Sequence, residues 1–312
     1  MAYGRQFQIT VNCPTGDVIT ITDGECDFSC SRDKDPQPNE ADLTLWGLTA
    51  STQNRIAVSG STFSIAAGYR DEGLLTLFQG ELISAVTVKP SDVYGLRMKI
   101  YEGLIPFRAS VTARQFRKGS SLYDAVRSVA ADMGLGCQVS DGAKALLLAR
   151  DLSGVALSRD VLNGLCKPVN AFWHIQYQTL MVTAGDAKPQ GAILFSPETG
   201  LIEVPALKLH TPKRHKSSGK TTHHKKKKAV TTYPWPPKAT QADYGPNARR
   251  QVGTIEGLTW ESVLRGGIDL DETVRLESPS LGGWWVSINK IHHQFGTRNV
   301  KVWGSNFQGV IA

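Results

Sequence analysis

Apolar residues return at every second position over most of this chain, and that period constrains its fold more than any other feature. Phe7, Ile9 and Val11 alternate with polar neighbours, as do Ile19 and Ile21, Leu43 and Leu45, Phe63, Ile65 and Ala67, and Leu96, Met98 and Ile100. A two-residue period gives a pleated strand one apolar face. Between these segments lie turn residues, among them the charged turn at Arg70–Gly73. The run "LLTLFQGELISAVTV" reads as one long strand, with Gly80 expected as a bend or bulge. Short strands at this spacing predict a small antiparallel barrel or sandwich over 1–104.

The period changes at about 105. In "GSSLYDAVRSVAADMGLG", Leu122, Ala125, Val126, Val129, Ala130 and Met133 fall at helical spacing, with Ser120 or Ser121 to cap the start and Gly134 to stop the end. A second helix begins near Ser158, uses Val161, Leu162 and Leu165, and cannot pass Pro168. In "AFWHIQYQTLMVTAG", Trp173, Ile175 and Tyr177 alternate with His174, Gln176 and Gln178, which predicts a strand with one wet face that turns back on itself. Residues 105–185 are therefore expected as a small inserted α/β domain. Residues 186–207 read as strand, turn, strand, and alternation resumes from Thr254 to the end. The second β domain is thus 186–207 together with 250–312, interrupted by a polar insertion at 208–249 far longer than an ordinary loop. Prolines 234, 236 and 237 exclude helix and sheet there.

That insertion holds most of the charge asymmetry. Lys208, Lys213, Arg214, Lys216, Lys220, Lys225, Lys226, Lys227 and Lys228 stand in it with no acidic residue among them. The chain carries a formal net charge of +7, but without these nine, 26 basic residues face 28 acidic ones, a net of −2. A distributed nucleic-acid-binding face is therefore not expected. The tract has two readings: a solvated loop, or a contact with a polyanion such as DNA, an acidic protein strand or lipid headgroups. In the second reading the contact residues are Lys213, Arg214, Lys216, Lys220, Lys225, Lys226, Lys227 and Lys228.

Signals for chemistry are missing. No phosphate-binding loop, zinc-protease helix or nucleophile elbow stands on suitable structure. Cys13, Cys26, Cys30, Cys137 and Cys166 are odd in number and irregularly spaced, so they read as buried thiols rather than a disulfide framework or zinc site. Four of the seven histidines lie in the lysine-rich tract. His292 and His293 point to opposite faces of a strand and cannot share a metal within it. A glycosidase wants two carboxylates facing each other across a cleft, but Glu256, Glu261, Asp269 and Asp271 sit in loop-like surroundings with no aromatic sugar platform beside them. The expectation is no enzyme, no cofactor and no metal. No run approaches the ~18 apolar residues of a membrane-spanning helix, and the N-terminus lacks a secretory layout, so the chain reads as soluble, folding in a cytoplasm without a membrane anchor.

The order of modules carries a resemblance. "IAAGYRDEGLLTLFQGELISAV" and "LRMKIYEG", then "GSSLYDAVRSVAADMGL" and "FWHIQYQTLMVTAG", then "TGLIEVPAL" and "DETVRLESPSLGGWWVSINKIHHQFG", resemble the baseplate hub proteins of contractile-tailed bacteriophages, related to the hub part of type VI secretion spikes. The likeness covers 1–207 and 254–312, and the basic tract departs from it. It implies a mainly β fold with an inserted α/β domain and two barrel-like hub domains. Three chains would form a pseudo-hexameric ring, adapting the hexameric tail tube above to the trimeric central spike below. Baseplate wedge proteins and the tape-measure protein are further implied partners, DNA would pass only in transit, and the place would be the virion tail, assembled in the bacterial host cytoplasm. The competing classes are a tail-associated cell-wall hydrolase and a nucleic-acid-binding protein acting through the basic tract.

Overall fold

The computed structural model describes residues 4–89, 93–185, 190–209, 255–279, 282–297 and 303–311. Lys213, Arg214, Lys216, Lys220 and Lys225–Lys228 lie outside these. The alternating segments of the first hundred residues form β1 (Arg5–Asn12), β2 (Val18–Ile21), β3 (Cys26–Asp33), β4 (Glu40–Trp46), β5 (Thr62–Tyr69), β6 (Gly73–Val88) and β7 (Gly95–Tyr101). A short helix, α1 (Ala50–Ile56), intervenes after β4; it is capped by Thr49 and buries only Gln53 and Ile56, too few residues for its period to stand out in the sequence. Residues 104–184 hold α2 (Leu104–Ala109), β8 (Val111–Phe116), α3 (Leu122–Met133), β9 (Gly136–Val139), α4 (Asp141–Lys144), β10 (Leu152–Leu157), α5 (Ser158–Cys166), β11 (Phe172–Gln176) and β12 (Thr179–Thr183). The remainder supplies β13 (Gln190–Phe195), β14 (Ala206–Leu209), β15 (Ile255–Val263), β16 (Thr273–Ser278), β17 (Gly282–Gly296) and β18 (Trp303–Ile311).

The mainly β character holds, but the two barrels do not appear as such. Thirteen strands join in a single sheet, in the order β14-β15-β18-β17-β3-β4-β7-β6-β5-β1-β2, with β16 and β13 branching from β17. Among the described residues no pairing closes it. The two strand-rich regions meet where β17 pairs with β3, Lys290 opposite Asp33 through Gly296 opposite Asp27. One edge of β17 belongs to β18, while β16 takes Gly282–Ser287 and β3 takes Lys290–Gly296 on the other. The ladder with β18 shifts register between Ile288 and Lys290, and the sheet forks there.

That fork separates two cores. One gathers Ile9, Phe28, Leu43, Phe63, Phe78, Met98 and Ile100, and reaches into the later strands for Phe295 and Trp303. The other gathers Phe195, Leu258, Trp260, Val274, Ile288, Ile291 and Phe307. A third apolar cluster belongs to residues 104–184: α3 buries the six predicted residues against α5, Trp173, Ile175, Leu180 and Val182. Its caps are the expected ones, Ser121 accepting from Asp124 N and Gly134 in the left-handed conformation at φ +68°. Each fully buried aliphatic side chain of α3 contributes about 1.5–3 kcal/mol.

Two local expectations need correction. Gly80 is not itself the bulge: the register of β6 shifts between the partners of Ile65 and Ala66 and again between Leu82 and Ser84. Gly80 lies between them because a Cβ there would stand 2.6 Å from the Tyr101 carbonyl oxygen. Nor does β11 have a wet face, since Trp173, His174, Ile175 and Gln176 are all buried. The helices cover one side of it, and polar partners from elsewhere in the chain meet the other.

Candidate functional site: a polar sheet face, a buried seam and open edges

Along β3, β4, β7, β15, β17 and β18 one side of each strand feeds the cores and the other is polar. Register places Tyr101, Glu40, Ser31, His292, Asn306 and Glu261 in one row across six strands, and Lys99, Asp42, Ser29 and Gln294 in the next. This face therefore runs unbroken across the junction of the two regions. Tyr101 donates to Glu40 at 2.5 Å, Trp46 Nε1 to Asp27 at 2.9 Å, and Lys290 lies 3.5 Å from Asp33. Its charged residues are Arg97, Lys99 and Lys290 against Asp27, Asp33, Glu40, Asp42 and Glu261, so it leans acidic.

Beneath that face a polar seam divides the two cores. Arg32, on the core side of β3, is fully buried. Its Nη2 donates to the Ile268 carbonyl and lies 3.3 Å from His293 Nε2. A guanidinium only donates, so His293 Nε2 is the acceptor, and Nδ1–H donates to Ser305 Oγ at 2.8 Å. Burial first, then the charges of Arg32 and His292, hold the His293 pKa well below its ordinary value, in keeping with this neutral tautomer. Ser305 Oγ also accepts from Arg265 N at 3.0 Å.

The hairpin of β11 and β12 plugs into this seam by its turn. Tyr177 and Gln178 both have positive φ, 49° and 56°, as a two-residue hairpin turn of this hand requires, although neither is the Asn or Gly such turns prefer. The Tyr177 ring lies 4.9 Å from the Arg32 guanidinium, and its hydroxyl donates to the Thr76 carbonyl. Its backbone N–H donates to Glu102 Oε1 at 2.9 Å, while Asn39 donates to Glu102 Oε2 at 2.8 Å. Gln176 donates to Asp269 at 2.6 Å. Burial pushes the Glu102 carboxyl up to about 7, although Arg32 and these donors favour its charged form. Burial likewise pushes the Tyr177 hydroxyl up to about 12.

The sequence reading placed none of Arg32, Glu102 and Tyr177 in a site. Arg32 at a core-facing position of β3 was the available signal: in "CDFSCSRD" it follows Cys26, Phe28 and Cys30 on the buried side. The thiols of Cys26, Cys30 and Cys166 are raised to about 12, first of all by burial, and so are poor nucleophiles. Glu256 and Glu261 stand in β15 rather than a loop. Among the described residues no group of three or more His, Cys, Asp or Glu gathers to hold a metal, and no helix is long and apolar enough to cross a membrane.

The edges of the sheet differ in how they are protected. Glu81 pairs with Thr62 of β5 and Tyr101 of β7, so these strands flank β6 on opposite sides. Beyond Leu82, whose N–H donates to the Ser61 carbonyl at 2.9 Å, the edge of β6 away from β7 meets no strand among the described residues, and Ile83 and Val86 are exposed. At the other end β14 is the last strand, paired with β15 from Ala206 opposite Thr259 to Leu209 opposite Ile255. The basic tract leaves and returns at that last pair. It is therefore anchored at an end of the sheet, beside Lys208, and its remaining basic residues are outside the described chain.

With this geometry in view, solved structures match over nearly the whole chain. A 43 kDa tail protein of prophage MuSo2 from Shewanella oneidensis is similar with a TM-score of 0.64 at 10% identity, over 97% of this chain and 96% of that one. A tail protein from Neisseria meningitidis MC58 gives 0.64 at 13% identity, over 99% and 97%. The fold is that of phage tail proteins. It extends to the Escherichia coli c3393 protein, a type VI secretion component described as similar to the bacteriophage T4 tail proteins gp27 and gp5, with a TM-score of 0.56 at 9% identity over 93% of this chain and 74% of that one. The expected resemblance to tail hubs and secretion spikes is thus present in the fold. No protein-family model matches the sequence, and no curated protein does.

Proposed function

We propose that this chain is a structural phage tail protein, the hub subunit of a homotrimeric baseplate ring that adapts the tail tube to the central spike. The observation that carries this reading is the polar face running unbroken across β7, β4, β3, β17, β18 and β15, flanked by β6 and β14, where among the described residues the far half of β6 and the outer side of β14 meet no further strand. Such a stretch presents rows of backbone donors and acceptors at its ends that strands of other copies can pair. Three copies placed end to end would supply about 24 strands and enclose a channel roughly 37 Å across before strand tilt widens it. The acidic, solvated face would line that channel and let DNA pass without adhering.

In this reading 1–104 and 186–207 with 250–312 are the two ring domains, 105–185 is the inserted α/β domain on the outside, and 208–249 is an insertion at the ring's edge. The fork in β17 gives each ring domain its own core, so that one chain occupies two stations. The tail tube, spike, wedge and tape-measure proteins are the partners, and the role is not enzymatic. Lys213, Arg214, Lys216, Lys220 and Lys225–Lys228 would contact an acidic partner or the leading DNA end; replacing Lys225–Lys228 with serine should weaken assembly or ejection in a salt-sensitive way.

Sedimentation of the purified chain tests the ring directly. The expected particle has three times the 34.0 kDa chain mass. A monomer at every concentration, with or without the spike, would remove the adaptor reading.

A further inference from the structure

Outside the thirteen-stranded sheet, β8 and β10 form a ribbon of two strands that nothing above uses. We propose that the free edge of β10 is a strand-addition site for an extended acidic segment of a partner protein. This does not depend on the ring.

Among the described residues β10 pairs with β8 alone, Leu152 opposite Phe116 through Leu157 opposite Val111. A two-stranded ribbon is marginal in water without a third strand or a covering layer. Here the covering is slight: Ser153, Gly154, Val155 and Ala156 are all exposed, Val155 at 74%. The usual alternation of one buried and one wet face is lost at the centre of the strand. The stretch "LSGVALS" contains neither a charge nor a proline.

The β2 edge of the large sheet is only four residues long and offers little to pair. The β10 edge is six residues long, with no charge or proline within it. An exposed edge of that length can take a further strand.

Charge selects the visitor. Residues 104–184 carry nine basic and five acidic residues, a net of +4. The rest of the chain, without the nine basic residues of the tract, carries 17 against 23, a net of −6. Arg150 and Arg159 bracket the strand, together with Asp151, which accepts from Lys118 N at 2.7 Å, and Asp160, 3.9 Å from Arg159. An acidic strand is drawn to this surface, and a basic one is repelled.

The test uses the full chain and two labelled ten-residue probe peptides that alternate valine with glutamate or with lysine. Anisotropy measures binding and hydrogen exchange measures protection of amides 152–157. The glutamate peptide should bind and protect those amides, weaken with salt, and lose about tenfold in affinity with Val155→Glu, whereas Val155→Lys should retain it. Position 155 is exposed, so both variants should fold as the parent does. Binding that Val155→Glu leaves unchanged, without protection at 152–157, would put the peptide on the basic tract and overturn the assignment. Equal binding of the lysine peptide would overturn the charge preference, and with it the proposal. Amides already protected in a concentration-dependent way in the free chain would mean that a second copy fills the edge, which also overturns it.

Discussion

The two cores on this sheet are assembled differently. The first is built largely from successive strands, β1 with β2, β3 with β4, β5 with β6 and β6 with β7, tied together by the longer-range pairs of β1 with β5 and β4 with β7. The second has local hairpins of its own, β16 with β17 and β17 with β18, but other parts of it are gathered from afar. β13 runs parallel to β16, β14 and β15 are joined across the basic tract, and Phe195, Trp260 and Phe307 converge with ring centroids 5.1 to 5.6 Å apart. Local hairpins form their contacts at little loop-closure cost, whereas the aromatic cluster must close long loops before any of it is rewarded. The first core should therefore hold its shape without the second more readily than the reverse.

The largest effect on that comparison should come from Phe307→Ala, which empties the centre of the three-ring cluster at a cost of about 3–5 kcal/mol. Hydrogen exchange should then rise in β15 and β16 while β5 and β6 stay protected. Equal loss in all four strands would mean that the cores melt as one.

Next is Arg32→Ala in the seam between them. It removes a fully buried guanidinium that lies against the Tyr177 ring, donates to the Ile268 carbonyl and favours the charged form of Glu102, and should cost on the order of 3 kcal/mol while raising the Glu102 pKa further. Adding Glu102→Gln should recover part of the loss in denaturant melts. A double variant no better than the single one would mean that the two groups do not interact.

The same carboxyl gives a pH dependence with a definite sign. In the folded chain its pKa is about 7, above the ordinary carboxylate value of roughly 4.3. Between those values the folded state holds a proton that the unfolded state has lost, so this contribution to stability is full below the lower value and falls as pH rises through the upper one. His293 works in the opposite direction, its depressed pKa costing stability as pH falls below its unfolded value of about 6.5. Melting temperatures of Glu102→Gln should accordingly lose the decline toward pH 7 and keep the one on the acid side. A parent-like profile in that variant would show that Glu102 titrates normally.

The smallest effect belongs to the polar face. Lys99 and Asp42 are 3.9 Å apart and about half exposed, so Lys99→Ala should change stability by under about 1 kcal/mol. A larger change would mean that this face is not solvated in the assembled protein.

Much of the fold was legible because its signals are local. The Ser121 and Gly134 caps and the six apolar positions of α3 are written within fourteen consecutive residues, Ser121 to Gly134. The alternation that marks β1, β3 and β7 is equally local. The seam was not legible, since Arg32, Glu102, Tyr177, Asp269 and His293 are neighbours only after β17 meets β3 and the β11–β12 turn arrives. The same holds for His174 and Gln176: their period is that of a half-exposed strand, and what covers them comes from elsewhere in the chain.

The sequence alone determined most of the long strands and the helices α3 and α5, where α3 begins and ends, and that nine basic residues stand together in one tract. Each of these follows from side-chain period, capping chemistry or composition within a short window. Only the tertiary structure decided that the two strand-rich regions share one open sheet, that a fork in β17 divides its core, and that a buried arginine holds the seam. The physical reason is that strand pairing runs through backbone N–H and C=O groups, which are the same in nearly every residue, so the partner of an edge is chosen by the packing of the whole chain and not by the residues of that edge.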